Sequence, residues 1–276
     1  GSFDGQVTVA SSDENIVRLI LDNATITNTN GPAIVVEDAE EAMIVLAEGS
    51  KNALTDGGTY ATATTTTDAS GTEIDAPNAT LYSTADLTIT GDGELTVAGT
   101  ANDGIVGKDG IVIDSGTIIV DAADDGIRGK DYLVISGGTL DVTAQAGIAL
   151  KADRTADTST TTTTVASTNA DQSKPAGQIF ISSGSITTTS GGDSINATGT
   201  VDISGGELTL TAGDDGVHAD EQLDISGGTV TIVESYEGLE SSVINISDGT
   251  IDLTSSDDGI NVAGGNDGSG QQKGGG

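Results

Sequence analysis

Residues 124–140 read DDGIRGKDYLVISGGTL, and close copies of this phrase recur along the chain. Aligned on the dipeptide before the apolar residue, the copies are Asp103-Gly104, Asp125-Gly126, Ala146-Gly147, Asp193-Ser194, Asp215-Gly216, Glu237-Gly238 and Asp258-Gly259. Their second residues are 22, 21, 47, 22, 22 and 21 apart, the long step being one repeat plus an insertion. The apolar residue that follows keeps its place: Ile105, Ile127, Ile148, Ile195, Val217, Leu239 and Ile260. A second column holds Ile113, Ile135, Ile181, Ile203, Ile225 and Ile246, and a third holds Ile118, Leu140, Ile186, Leu208, Val230 and Ile251. Between them lies a glycine turn, as in 136-SGGT-139 and 204-SGGE-207. Alternation of period two within each unit, as in Leu208-Thr209-Leu210, marks strands, and no segment has helical periodicity. Short strands at a fixed period imply an all-β solenoid, a parallel β-helix with about 21–22 residues per coil.

Such a stack explains how so sparse a chain can fold. Ile, Val, Leu and Phe are about a fifth of the 276 residues and aromatics 2%, a composition at the edge of disorder. One coil buries little, but stacked coils bury continuous columns. Toward the N-terminus the pattern loosens, with 16-IVRLIL-21, 33-AIVV-36, 43-MIVLAEG-49 and 87-LTITGDGELTV-97 reading as earlier coils. Two Thr-rich insertions, near 57–73 and 154–175, follow similar corners (53-ALTDG-57 and 149-ALKAD-153) and are expected to be solvated loops. A single β-helix domain is expected over 1–263, and the Gly-rich stretch 264–276 is a flexible tail by composition. Gly1-Ser2-Phe3 is neither a signal peptide nor an initiator methionine, so a processed N-terminus is expected.

The charge narrows the partners. With 43 acidic against 9 basic residues the formal net charge is −34, which disfavours nucleic acid and anionic lipid and favours cations, basic surfaces or neutral ligands. There is no cysteine, hence no disulfide or thiolate site, and no apolar run of the roughly 18–20 residues needed to cross a membrane.

Stacking turns isolated acids into ladders. Residues one coil apart lie about 4.8 Å from each other, so Asp103 neighbours Asp125, and Asp193, Asp215, Glu237 and Asp258 form a second run. Beside them runs a column of Asn102, Asp124, Gln145, Asp214 and Asp257. At an effective dielectric of about 20, two carboxylates at that distance repel by about 3.5 kcal/mol. Solvent, protonation or cations between the rungs would relieve this. Ca²⁺ suits the arrangement, since it takes roughly six to eight oxygens at about 2.3–2.6 Å. Glycine beside each aspartate would permit a turn whose carbonyls also face the ion. Zinc would lack its usual Cys and His ligands. Asp103, Asp124, Asp125, Asp193, Asp214, Asp215, Glu237, Asp257 and Asp258 are therefore the candidate metal ligands.

Three lysines, Lys108, Lys130 and Lys151, follow the dipeptides at equal spacing, and with Arg128 they form a positive strip in an acidic protein. Pairing with Asp109, Asp131 and the acidic columns is one reading of them. Recognition of a carboxylate-bearing sugar together with calcium is the other. His218, the one histidine, falls at the position matched by Arg128, Asn196, Glu240 and Asn261 and is expected to be exposed at the surface.

The segments 75–99, 102–142 and 201–217, above all the NDGI…GKD…DDGIRGKD core of 102–131, resemble a bacterial family of carbohydrate-binding-domain-containing proteins. The resemblance runs over most of 16–262 and implies a right-handed parallel β-helix, bound calcium, kinship to calcium-dependent pectate lyases, and secretion to the cell surface or beyond. It also implies binding of polysaccharide of the cellulose or polygalacturonate type. Asp103, Asp124, Asp125, Lys108, Arg128 and Lys130 lie inside the matching motif, whereas the two insertions and the pair Gln145-Ala146 depart from it. Three functions are open: a non-catalytic, calcium-stabilised binder of plant-type or acidic polysaccharide; a lyase using Lys108 or Lys130 as base; and a structural subunit that polymerises end to end. Acidic neighbours oppose the lowered pKa that a lysine base requires, so the binder leads.

Overall fold

In the computed structural model the described residues are 1–11, 15–57, 60, 66–67, 73–74, 76–154 and 176–262. The interiors of both Thr-rich insertions and the tail 263–276 lie outside them. The chain winds into three parallel sheets, two of ten strands and one of nine, each strand bonded to its equivalents one coil before and after. This is the parallel β-helix expected from the repeat. Strands Thr66–Thr67 and Glu73–Ile74 form a separate antiparallel pair. Among the described residues, no helix is long and apolar enough to cross a membrane.

Each coil passes from the third sheet through a glycine turn to the first sheet, then around a second corner to the second sheet. Ile113–Ile135–Ile181–Ile203–Ile225 stack in register in the third sheet. Ile118–Leu140–Ile186–Leu208–Val230 do so in the first. These side chains are buried in one continuous core, and each contributes about 1.5–3 kcal/mol by leaving water. The turn between the two sheets needs a left-handed residue, and Gly116, Gly138, Gly206 and Gly228 supply it with φ of +80° to +101°.

The second-sheet column requires one correction. Ile127 pairs with Leu150, not Ile148, and Leu150 in turn with Ile195. The corner from Ala144 to Leu150 is one residue longer than its counterpart from Ala122 to Ile127. Ile148 consequently falls in the aspartate column, where its carbonyl accepts from Gly126 N at 2.9 Å as that of Asp125 accepts from Gly104 N at 3.0 Å. Lys151 moves too: it stands opposite Arg128 and Asn196, outside the Lys108–Lys130 column.

Candidate functional site

The corner between the first and second sheets carries the acids. Asp103, Asp125, Asp193, Asp215 and Glu237 are all buried at this corner. The glycine after the acid is required by packing rather than by turn conformation. A Cβ on Gly104 would sit 2.4 Å from Val120 Cγ1 and 2.7 Å from Gly126 O, and one on Gly238 would sit 2.3 Å from Gly259 O. The carbonyls here do not face an ion, because Asp125, Asp215, Glu237 and Asp258 each give theirs to an N–H of the preceding coil at 2.9–3.0 Å. The expectation of ion-facing carbonyls is thereby corrected.

Ile148 divides the ladder into two clusters of different electrostatics. In the first, Asp103 Oδ1 accepts from Asp125 N at 3.2 Å, and Asn78 Nδ2 donates to its Oδ2 at 2.8 Å. Asp125 Oδ1 accepts from Ile148 N at 2.9 Å, and Lys151 Nζ donates to its Oδ2 at 2.8 Å. Arg128 bonds Asp153 and lies 3.8 Å from Asp103. Arg154 pairs with Asp131 at 2.8 Å. Burial opposes the charge on Arg128, but the bond to Asp153 and the nearby Asp103 and Asp125 raise its pKa. Burial, then the Asp125 charge, push the Asp103 carboxyl up to about 7. Fixed protein cations thus occupy the ground that calcium was expected to fill around Asp103 and Asp125.

The second cluster repeats the caps for one rung and then breaks. Asp193 Oδ1 accepts from Asp215 N at 3.0 Å, and Asn196 Nδ2 donates to its Oδ2 at 2.6 Å. Burial raises the Asp193 carboxyl to about 6. Asp215 Oδ1, buried, has no hydrogen-bond partner, and neither has Glu240 Oε1. Asp215, Glu237 and Glu240 each bring a carboxylate oxygen within 4.8 Å of the others. Glu237 receives Asn261 Nδ2 on both oxygens, at 2.9 and 3.0 Å.

Glu240 is the residue that the sequence reading did not select. It occupies the outward second-sheet column of Arg128, Lys151, Asn196, His218 and Asn261, where every other member of that run donates. The signal was visible in the fourth letter of each phrase: 125-DGIR, 193-DSIN, 215-DGVH and 258-DGIN against 237-EGLE. Only the last ends in an acid. Burial pushes the Glu240 carboxyl up, and the close Asp215 carboxylate raises it further.

His218 is not the exposed residue expected, since its side chain is only 13% accessible. Nδ1 lies 3.2 Å from Asp215 Oδ2 and 2.8 Å from Glu240 Oε2, and Nε2 lies 3.0 Å from Asp220 Oδ1. Burial works against its charge, but the bonds to Asp215 and Asp220, with Asp193 and Glu240 nearby, outweigh it and raise the pKa to about 11. Although Asp193, Asp215 and His218 also converge within 4.8 Å, the all-carboxylate group of Asp215, Glu237 and Glu240 is the one chemically suited to a hard cation.

The remaining candidates lie elsewhere. Asp124, Asp257 and Asp258 are exposed and Asp214 half-buried, outside both groups. Lys108 and Lys130 are neighbours on adjacent coils, Lys130 N donating to Gly107 O at 2.9 Å, and Lys108 Nζ lies 5.9 Å from the Tyr82 ring centre.

Among solved structures, the chain is similar to a polysaccharide lyase-like protein from C. thermocellum, solved as a gadolinium derivative. Identity is 27%, the TM-score 0.63, and the match covers 92% of this chain and 85% of the other. No curated protein matches. The family pattern of carbohydrate-binding domain-containing proteins matches residues 1–259, and the chain belongs to that family.

Proposed function

We propose that the protein is a calcium-stabilised, non-catalytic carbohydrate-binding protein that works outside the cell or on its surface. The observation that carries the calcium assignment is the group of Asp215, Glu237 and Glu240, with two buried carboxylate oxygens lacking any partner. Three carboxylates beside a single imidazolium leave excess negative charge in a poorly solvated corner, which a divalent cation neutralises. Oxygen-only donors favour Ca²⁺ over Zn²⁺, and lanthanide ions such as the gadolinium in the related structure share calcium's preference for oxygen. Asp215, Glu237 and Glu240 would hold the ion and so tie neighbouring coils together. Calcium sites of extracellular modules fill at about 10⁻⁴–10⁻³ M, which suits the proposed location.

Family membership supports the carbohydrate assignment, with cellulose- or polygalacturonate-type polysaccharide as the ligand. Arg128 pairs with Asp153 and Lys151 with the buried Asp125, so neither is poised to remove a proton, and a lyase reading would have to rest on Lys108 or Lys130. A lyase reading draws on the related lyase-like structure. Sedimentation with insoluble cellulose and affinity electrophoresis in polygalacturonate, each with calcium or chelator, test the proposal. Retention without absorbance from unsaturated uronide is expected. Appearance of that absorbance would establish the lyase reading instead, and absence of retention on every glycan would defeat the binding one.

A further inference from the structure

One position of the outer column, between its acids Asp214 and Asp257, is an aromatic residue. Tyr236 N donates to Asp214 O at 2.7 Å and Asp257 N to Tyr236 O at 2.9 Å, so an aromatic ring stands between two aspartates on successive coils. The chain has four Tyr, two Phe and no Trp, and Tyr236 is 38% exposed. The strand before it is irregular. Register shifts between Leu210 and Thr211, placing Thr211 opposite Glu234 and leaving Val233 out of the pairing. Beside this bulge a cavity of about 250 Å³ opens at the corner, lined by Gly213, Glu234, Tyr236, Thr254, Ser255 and Ser256 among others.

We infer that this corner is a subsite for one neutral pyranose unit of a polysaccharide chain. The volume suits a single sugar ring better than a longer ligand, since drug-sized pockets run from about 300 Å³ upward. An amphipathic ring such as tyrosine offers a face to the C–H side of a sugar. The Glu234 carboxylate accepts from sugar hydroxyls, and the Ser255, Ser256 and Thr254 hydroxyls can donate or accept. Charge decides the class of sugar. The lining contains Glu234 and no cation, and Asp214 and Asp257 flank the tyrosine, so a uronate carboxylate is repelled while a neutral hexose is not. The site is thus distinct in preference from the Lys108–Lys130 strip. It rests on the carbohydrate-binding reading above and adds location and class to it.

The test is calorimetric titration of the calcium-loaded full chain with a neutral cello-oligosaccharide and, separately, an oligogalacturonate of equal length, using wild type, Tyr236→Ala and Tyr236→Phe. Binding of the neutral sugar by wild type is expected, with about a tenfold loss in Tyr236→Ala, equivalent to about 1.4 kcal/mol. Retention within about threefold is expected in Tyr236→Phe, which keeps the ring and loses at most one hydrogen bond. Melting temperatures report folding of each variant, and if Tyr236→Ala melts early, Glu234→Gln replaces it with the same expected direction. Unchanged affinity in a folded variant, or preference for the oligogalacturonate at this corner, overturns the subsite while leaving the carbohydrate reading intact. No binding of any glycan by wild type overturns both.

Discussion

Glu240 reverses the sign of a position that elsewhere neutralises the ladder, and Asp215 is left with an uncapped oxygen beside it. If the pair exists to hold calcium, Glu240→Gln should abolish most of the rise in melting temperature produced by calcium, whereas Asp103→Asn should leave that rise intact. Differential scanning calorimetry with and without calcium reads both. Asp103 carries a second expectation. Its carboxyl is raised from 3.8 to about 7, first by burial and then by Asp125. Between those values the folded protein binds a proton that the unfolded chain does not, so this group adds stability as pH falls and loses it as pH rises through about 7. Calcium-free protein should therefore melt higher at about pH 5 than at about pH 8, and Asp103→Asn should shrink the difference. A shift of one pKa unit corresponds to about 1.4 kcal/mol, so this single group contributes on the order of 3 kcal/mol between about pH 5 and about pH 8. At this scale the sequence was only partly readable. It showed which carboxylates share a column and offered pairing of the bases with them as one reading, but not which base meets which acid. Side-chain reach across coils is set by register, and a one-residue error there placed Lys151 with the wrong partners.

Among elements, the strands were the most readable because their inward residues repeat at every coil and the core tolerates no interruption. The corner was the least readable. A turn can absorb an extra residue without disturbing the strands it joins, and the stretch from Ala144 to Leu150 does so. The acidic ladder breaks there at Ile148 as a result. Ile148→Asp should rejoin the two clusters and destabilise the calcium-free protein by a few kcal/mol, about the Coulomb cost of one further rung, with a smaller loss when calcium is present. The glycines of the corner show the same dependence on stacking. Gly126→Ala would drive a Cβ to 2.4 Å from Val142 Cγ1 and 2.6 Å from Ala149 O. Because backbone blocks one side, a loss of about 1–3 kcal/mol, typical of overpacking, is expected in urea melts. From sequence alone this glycine looked like turn chemistry. Its actual constraint comes from the next coil, which a local reading does not contain.

For the whole molecule, a charge of −34, with nine basic against 43 acidic residues, favours association with external cations. Screening by monovalent salt acts on exposed acids such as Asp124 and Asp257, while the buried group of Asp215, Glu237 and Glu240 is the proposed site of a specific ion. Sodium chloride should accordingly raise the melting temperature gradually, and calcium should do so further at concentrations too low to change the ionic strength. The measurement that reaches the central claim most directly is a calcium titration of chelator-treated protein, with bound metal counted by elemental analysis and stability followed by melting. The expected result is saturable calcium uptake that raises the melting temperature by many degrees in wild type and is largely lost in Glu240→Gln. Equal calcium uptake and equal melting gain in wild type and Glu240→Gln would contradict the assignment of Asp215, Glu237 and Glu240 as the site that holds the β-helix together.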